Sequence, residues 1–283
     1  MIYVLLTILS SLAIALILKF NETKEGDRLV VAGANYVVAS LLGFLMGDAD
    51  SLISFKWISF ALLLGGGFVA GFLLLMRAIR ETGLAITGSV ARTATIGPVL
   101  LSMLFYNEQP DTLQIAGIVC SLIAFTLLGY DQRYPHTNRH QQDSPILILL
   151  LLFLVMTFND FGMKIAQVNH VDTSRLLFIL FGMAGIICWT LIGVDRVRRK
   201  KEKKIASRDL LLGAILGVPN CLSSLFLIRS LQEIPATTVF PIVSAGGVLA
   251  VTLSALWIWR EEFSRPAWIG IGLAAIGVAL LGM

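Results

Sequence analysis

Two ionisable side chains stand inside long apolar stretches, where they could bind or carry charge. Arg92 lies in the apolar segment 84–106, eight residues from its start and so about 12 Å along a helix. An ionisable group this deep in a membrane helix costs at least a few kcal/mol, so we expect it to face the bundle interior or a water-filled cavity. Its guanidinium could anchor a carboxylate or another anion. The alternative is a structural arginine bonded to carbonyls or to a carboxylate.

Asp160 is the only carboxylate well within a predicted helix of the second half of the chain. It could pair with Arg92, or with Lys164 one turn along the same helix. Burial disfavours the charged form of a carboxyl group, which is what a proton-coupling residue requires. Asp160 and Lys164 are therefore the candidate coupling residues, and a structural ion pair is the alternative.

Neutral polar side chains complete the candidate site. In a dry setting each needs a partner, either across a helix interface or on a bound substrate. With Arg92, the candidate substrate-binding residues are Thr95, Asn35, Tyr36, Asn159, Asn220 and Ser244. Prolines inside three of the predicted helices introduce bends near the same levels, at Pro98, Pro219 and Pro241.

The composition predicts that membrane helices position these residues. The 283 residues are 57% hydrophobic and only 14% charged, and the mean hydropathy is +0.83, whereas soluble domains are about half apolar and a quarter charged. Apolar runs of about 18 or more residues recur, enough to cross a bilayer as helices. We predict an all-α integral membrane protein with ten helices, at about 2–18, 29–46, 57–78, 84–106, 112–129, 145–165, 173–194, 209–230, 236–259 and 265–282.

A weak internal repeat divides these helices into five and five. Residues 108–129 laid on 261–282 without a gap match at seven positions, among them Glu108 with Glu261 and Gly117 with Gly270. The predicted units are 1–129, a polar linker 130–144, and 145–283. Because five is odd, the second unit crosses in the opposite sense, which is the inverted repeat of many secondary transporters. We interpret the two glutamates as structural turn residues near the membrane faces, where a solvated carboxylate costs little.

The distribution of basic residues predicts the orientation. Seventeen of the 22 Lys and Arg lie in or beside the odd-numbered loops, eight of them between residues 196 and 208. The positive-inside rule then puts the loop 195–208 in the cytoplasm and both termini outside. This placement argues against nucleic-acid binding despite the net charge of +4. The three cysteines are widely spaced and His136 and His140 lie in the linker, so we expect no metal and no cofactor.

The chain resembles the EamA-type members of the drug/metabolite transporter superfamily in three features. These are the repeated Glu and Gly pattern, the lysine near the end of a sixth helix that contains an asparagine, and the five-plus-five layout. The resemblance covers nearly the whole chain. It implies a secondary carrier that alternates access between two five-helix bundles, often as an exporter of amino acids or other small metabolites. It also implies a central cavity lined by helices one, three, four, six, eight and nine. The arginine at position 92, inside the predicted fourth helix, departs from the pattern of a plain family member and narrows the expected class of substrate.

The sequence therefore predicts a transporter, not an enzyme, in the plasma or inner membrane of a prokaryote. Its expected partners are a small metabolite such as an amino acid or organic anion, the lipid bilayer and protons as coupling ion, and it is a monomer or homodimer. A passive channel is one alternative, although internal prolines without a continuous polar stripe favour rocking halves. A membrane-embedded lipid-modifying enzyme is another, but it would need clustered carboxylates with a metal, or a nucleophile with a base.

Overall fold

The computed structural model describes residues 1–23, 26–47, 54–131, 145–199, 205–258 and 265–282. All regular structure in these residues is α-helical, which confirms the predicted class. The helices are α1 (Ile2–Thr23), α2 (Arg28–Leu45), α3 (Phe55–Thr93), α4 (Ile96–Tyr106), α5 (Thr112–Asp131), α6 (Pro145–Val168), α7 (Thr173–Arg199), α8 (Ser207–Glu233), α9 (Ala236–Ile258) and α10 (Arg265–Leu281).

Most of these helices are long and apolar enough to cross a membrane. Seven stretches qualify by length and composition: Ile2–Asn21, Arg28–Leu45, Phe55–Ile79, Ile146–Val168, Thr173–Val197, Ser207–Glu233 and Ala236–Ser254. Three shorter apolar stretches complete the set: Val90–Tyr106, Thr112–Ala124 and Trp268–Leu281. That all ten cross the membrane stays a prediction.

The sequence predicts separate helices at about 57–78 and 84–106, and two apolar stretches, Phe55–Ile79 and Val90–Tyr106, do occupy these regions, but the helical structure is not interrupted between them. Helical structure continues from Phe55 to Thr93, and the interruption comes at Ala94 and Thr95. Pro98 gives the physical reason, because its ring has no N–H for the carbonyl of Ala94 four residues earlier and crowds that carbonyl. The Ala94 carbonyl instead accepts the Gly97 amide at 3.0 Å.

Contacts with α6 reveal that the chain reverses within α3. Ala78 packs with Ile148 near the start of α6, and Gly67 faces Asn159 further along it, so this limb runs antiparallel to α6. The following limb runs parallel to α6.

The parallel limb is defined by two contacts. Gly97 lies against Thr157, and Glu108 reaches Lys164. Thr82 and Thr87 mark the reversal, since their hydroxyls lie 3.0 Å apart although residues five apart on a straight helix point about 140° away from each other. The two limbs thus cross the bundle in opposite directions.

Both ends of the described chain lie on one face, which we call the terminal face. The Met1 ammonium is 3.8 Å from the Glu233 carboxylate at the end of α8, and Gly282 adjoins Met1. On the opposite face, the Asp209 carboxylate at the start of α8 accepts the Asp27 amide at 3.0 Å. We call that face the basic face, because the predicted basic loops fall on it.

Small residues bring the two halves into close contact. Gly117 of α5 meets Gly277 of α10, where an added methyl group would lie 3.0 Å from the Gly277 carbonyl. Gly65 of α3 lies against the Leu180 carbonyl of α7. Lipid gives no hydrophobic drive for helix association, so such close backbone approach is a main source of packing energy in a membrane bundle.

Candidate functional site

Arg92 lies at the contact between the first and second halves of the chain. It occupies the last turn of α3, on the limb that runs parallel to α6, beside the interruption at Ala94 and Thr95 that the sequence did not predict. Its Nη1 atom is 3.8 Å from the point where a side chain on Gly247 of α9 would begin. Gly247 is at the middle of α9, so the guanidinium lies deep in the bundle, where it remains partly exposed.

The antiparallel pairing with α9 adds two more predicted residues to this cluster. Thr95 and Pro241 line the same crevice, and Arg92 faces Gly247. Ser244 lies midway between those two α9 positions along the helix, and therefore between the levels of Thr95 and Arg92. We call Arg92, Thr95 and Ser244 the central cluster.

The hydroxyls of the central cluster differ in their bonding. Thr95 donates to the Arg92 carbonyl at 2.8 Å. The Ser244 hydroxyl is buried and has no hydrogen-bond partner among the described residues. One hydroxyl is thus occupied by the backbone, and the other is free to bind a ligand.

A small crevice opens beside the central cluster, between α4, α5 and α9. It is lined mainly by Thr95, Ile96, Val99, Ile118, Ser121 and Pro241. The volume inside it that a water-sized molecule can occupy is only about 10 Å³, which is room for roughly one water molecule. A larger cargo would require these helices to separate.

Helix α6 contributes the carboxylate next to the cluster. The Thr157 hydroxyl donates to the Ala94 carbonyl at 3.2 Å, which is the carbonyl that Pro98 leaves without its helical amide partner. This bond fixes α6 against the interruption between α3 and α4. Asp160 follows one turn later and is partly exposed.

Neither predicted partner of Asp160 pairs with it. Within the described residues, no hydrogen bond or ion pair involves the Asp160 carboxylate or the Arg92 guanidinium. Lys164 points instead to the end of α4, where its Nζ atom is 2.8 Å from Glu108 Oε1. The predicted ion pairs of Asp160 were therefore wrong, and both central charges lack a counter-ion in the described chain.

Glu108 is more than the solvated turn residue that the sequence suggested. Its side chain is only 13% exposed and pairs with Lys164, itself 7% exposed. Its Oε2 atom accepts the Thr237 amide at 3.0 Å, and the Ala236 amide also binds the carboxylate. Burial alone would raise the pKa of Glu108, but these hydrogen bonds and the Lys164 charge outweigh it and lower the pKa. Its counterpart in the repeat, Glu261, lies outside the described residues.

The remaining predicted residues lie away from the central cluster. Asn35 is buried where α2 meets α8, and its Oδ1 atom has no partner in the described chain. Tyr36 stacks on Phe181 of α7 with ring centroids 6.0 Å apart. Asn159 faces Gly67 of α3, on another side of α6. Asn220 is partly exposed at the middle of α8, beside Pro219.

Sequence reasoning missed Thr157, Gly247 and the pairing of Glu108. A proline that frees the carbonyl four residues earlier was the available signal for a hydroxyl such as Thr157, but not for which helix supplies it. Across the described residues, no group of three His, Cys, Asp or Glu side chains could hold a metal ion. His136 and His140 lie outside those residues.

Comparison with known proteins identifies the class. The model of the EamA-like transporter family matches residues 1–130 and 143–283. A bundle of membrane-length helices with unpaired charges at its centre fits that class. The chain therefore belongs to the EamA-like transporter family, and it is a multi-pass membrane transporter, not an enzyme.

Individual relatives resemble only part of the chain. The "Probable 4-amino-4-deoxy-L-arabinose-phosphoundecaprenol flippase subunit ArnE" of Klebsiella pneumoniae (strain 342) is 32% identical over 105 residues, which are 36% of this chain and 88% of that protein. The protein of the same name from Erwinia tasmaniensis (strain DSM 17950 / CFBP 7177 / CIP 109463 / NCPPB 4357 / Et1/99) is 32% identical over 108 residues, 38% of this chain and 92% of the relative.

A solved structure shares the fold of this chain. A solved structure described only as "Crystal structure of protein" superposes with a TM-score of 0.79 at 14% identity, and the match covers 99% of this chain and 98% of the other. This likeness concerns the fold alone.

Proposed function

We propose that this transporter is a secondary carrier that exports a small metabolite with a carboxylate group, such as an amino acid or an organic anion. In this proposal it alternates access between two five-helix halves, 1–129 and 145–283, joined by the linker 130–144. The observation that carries the choice of substrate is Arg92. It is a cation at the centre of the bundle, and no counter-ion accompanies it within the described residues.

An anionic cargo would satisfy this arginine. A charged side chain at membrane depth is costly unless it is paired or hydrated. A carboxylate offers the guanidinium two parallel charge-assisted hydrogen bonds. The Ser244 hydroxyl of the facing helix is buried and has no partner among the described residues, and it can donate a third bond to the same ligand.

Helix pairing supports two inverted halves. The pairs α2–α7, α4–α9 and α5–α10 each join a helix to its counterpart, and α1 packs on α8 as α6 packs on α3. Gly117 lies against Gly277, and the same antiparallel register places Ala124 opposite Gly270. The sequence repeat aligns Gly117 with Gly270 and Ala124 with Gly277, so this pairing is symmetric. An approximate two-fold relation in the membrane plane is the expected basis of alternating access.

Asp160 is the proposed coupling residue. It lies one turn from Thr157, which is bonded to the central interruption, and it has no counter-ion in the described chain. A carboxylate in that position can bind a proton on one side of the membrane and release it on the other. Lys164, the second predicted coupling residue, is held by Glu108 and would act indirectly.

Flux into proteoliposomes tests the substrate proposal. Counterflow of labelled amino acids and organic anions under an imposed proton gradient should be measured for wild type, Arg92→Gln and Arg77→Gln. Arg77 is the matched control, because it is an exposed arginine of the same helix that pairs with Glu81 at 2.8 Å. We expect only Arg92→Gln to abolish flux. Equal flux in both variants would refute the role of Arg92.

The relatives support a second candidate, the flipping of a lipid-linked anion. The Klebsiella and Erwinia proteins are named as flippase subunits for a phosphoundecaprenol-linked sugar. A phosphate group would satisfy Arg92 as a carboxylate does. A fluorescent polyprenyl-phosphate sugar in the same vesicles separates the candidates, since Arg92-dependent flipping that soluble anions do not inhibit would favour the lipid.

The proposed location is the plasma or inner membrane, with the terminal face outside and the loop 195–208 in the cytoplasm. The positive-inside rule supports this orientation, because 17 of the 22 basic residues belong to the odd-numbered loops. A reporter fused after Met283 tests it. Activity typical of a cytoplasmic reporter would overturn the orientation.

A further inference from the structure

One carboxylate on the terminal face holds parts of three helices together. Glu108, just after α4, binds the Lys164 ammonium of α6 at 2.8 Å. It also accepts the Thr237 amide in the first turn of α9 at 3.0 Å, together with the Ala236 amide. We propose that Glu108 is a gate residue, which closes the terminal face in this state and releases α6 and α9 when that face opens. The gate rests on the alternating access proposed above.

The bonding at Glu108 is strong enough to act as a gate. The ion pair is nearly dry, so little solvent screens it. One carboxylate oxygen binds an ammonium and the other binds amides at a helix N-terminus, where the helix dipole adds positive charge. The Lys164 ammonium also lies 5.8 Å from the centre of the Tyr106 ring. Releasing the carboxylate therefore requires that water or another anion replace all of these contacts.

The position of the Glu108 contact indicates that it controls access to the proposed site as well as contributing to stability. Glu108 belongs to the first half, whereas Lys164 and Thr237 belong to the second. The same three segments carry the proposed site, with Arg92 before α4, Asp160 on α6 and Ser244 on α9. Glu108 comes 16 residues after Arg92 and just beyond the end of α4, so it lies nearer the terminal face than Arg92 does. A cargo leaving the cluster toward that face must pass this contact.

Two buried hydroxyls on α4 and α9 lack hydrogen bonds in the closed state. The hydroxyls of Ser102 on α4 and Thr238 on α9 are buried, and neither has a hydrogen-bond partner in the described chain. Both belong to the segments that lie between the central cluster and the terminal face. If the gate opens, water reaches them, so opening regains hydrogen bonds that the closed state lacks.

Distances between spin labels test the gate without any cargo. In a chain whose cysteines at 120, 188 and 221 are replaced by serine, one label pair reports the terminal face, at the exposed Gln109 and Asn169. A second pair reports the basic face, at the exposed Val197 and Trp268. Distance distributions are recorded by electron–electron double resonance for the unaltered gate, for Glu108→Gln and for Lys164→Met. Glu233→Gln is the matched control, because Glu233 is a half-exposed carboxylate on the same face.

We expect Glu108→Gln and Lys164→Met to add a population at longer distance for the terminal pair alone, and Glu233→Gln to leave both pairs unchanged. Unchanged distances in the two gate variants would overturn the proposal. Lengthening on both faces together would also overturn it, because this indicates general loosening.

An exchange of the two charges separates a gate with three members from a simple ion pair. Glu108→Lys combined with Lys164→Glu restores the pair but places a cation at the positive end of α9. We expect this double variant to keep the longer terminal distance, and full restoration of the short distance would refute the part assigned to α9. The readout needs no substrate, so an error in the assigned cargo would leave it intact. Terminal opening in vesicles that show no flux would separate the gate from the transport proposal.

Discussion

Lys164 forms an ion pair, whereas Arg92 and Asp160 have no counter-ion among the described residues, and the sequence alone could not reveal this difference. Hydropathy predicts that all three side chains are buried, because each lies in a long apolar stretch. Pairing, however, depends on the rotation of each helix and on where the loop after α4 runs, and periodicity specifies neither. Lys164 therefore looked like a partner for Asp160 on the same helix, but it binds Glu108 from another half of the chain.

Glu108 contributes to the loss of stability in acid. Its pKa is lowered in the folded protein, so the unfolded chain takes up this proton at a higher pH than the folded one. The stabilisation is complete above the unfolded pKa of about 4.3 and is lost as the pH falls through the lower folded value. We expect Glu108→Gln to lower the apparent Tm at pH 7 and to flatten its decline in acid. Thermal unfolding in detergent at several pH values measures this, and parallel profiles for wild type and variant would contradict it.

At the scale of the helix, the interruption caused by Pro98 explains the hydrogen bond between α6 and the segment that joins α3 to α4. Thr157 donates to the Ala94 carbonyl, which lacks the amide of residue 98 because of the proline and accepts the Gly97 amide instead. Thr157→Val removes the hydroxyl at nearly constant volume, and we expect it to cost about 0.5–1.5 kcal/mol. In a Pro98→Ala background the helix can supply the missing amide, so the same substitution should cost less. A double-mutant cycle on unfolding midpoints tests this, and equal costs in both backgrounds would show that the contribution of Thr157 does not depend on Pro98.

Glycines in two helices should respond oppositely to an added methyl group. At Gly117 the methyl would lie 2.8 Å from Leu281 and 3.0 Å from the Gly277 carbonyl, whereas at Gly66 it would meet nothing within 4 Å. We expect Gly117→Ala to destabilise by about 1–3 kcal/mol, because α5 and α10 must separate. Gly66→Ala should be neutral or stabilising by up to about 1 kcal/mol, since alanine favours the helix. The thermal unfolding midpoints of the two variants test this prediction. Similar midpoints would contradict the packing of α5 on α10.

Helix existence was easier to predict than helix ends. Long apolar runs must be helical in lipid, because every backbone polar group needs an internal partner. The ends of α3 and α4 depend instead on which helical hydrogen bonds survive near a tight reversal, and here helical structure continues to Thr93, past the reversal at Thr82 and Thr87. Tertiary contacts to α6 decide the path there, and these are absent from the local pattern.

For the whole molecule, the interlocked halves predict how a divided chain behaves. Most of the extensive contacts join the halves, including α5 with α10, α2 with α7 and α8, and α3 with α6. Each half alone would expose the surfaces that these contacts bury, so its helices lack most of their packing energy. We expect residues 1–129 and 145–283, expressed together as separate chains, to copurify and to retain the flux of the intact protein.

Either half expressed alone should be degraded or should aggregate, which solubilisation and size-exclusion chromatography measure. The pairing should also depend on the close contact of α5 with α10. Gly117→Leu in the first half would therefore reduce copurification, while Gly66→Leu would not, because Gly66 has open space around it. A stable, monodisperse first half would show instead that the contacts within one half suffice to fold it. That result would contradict the interlocked arrangement as the source of stability.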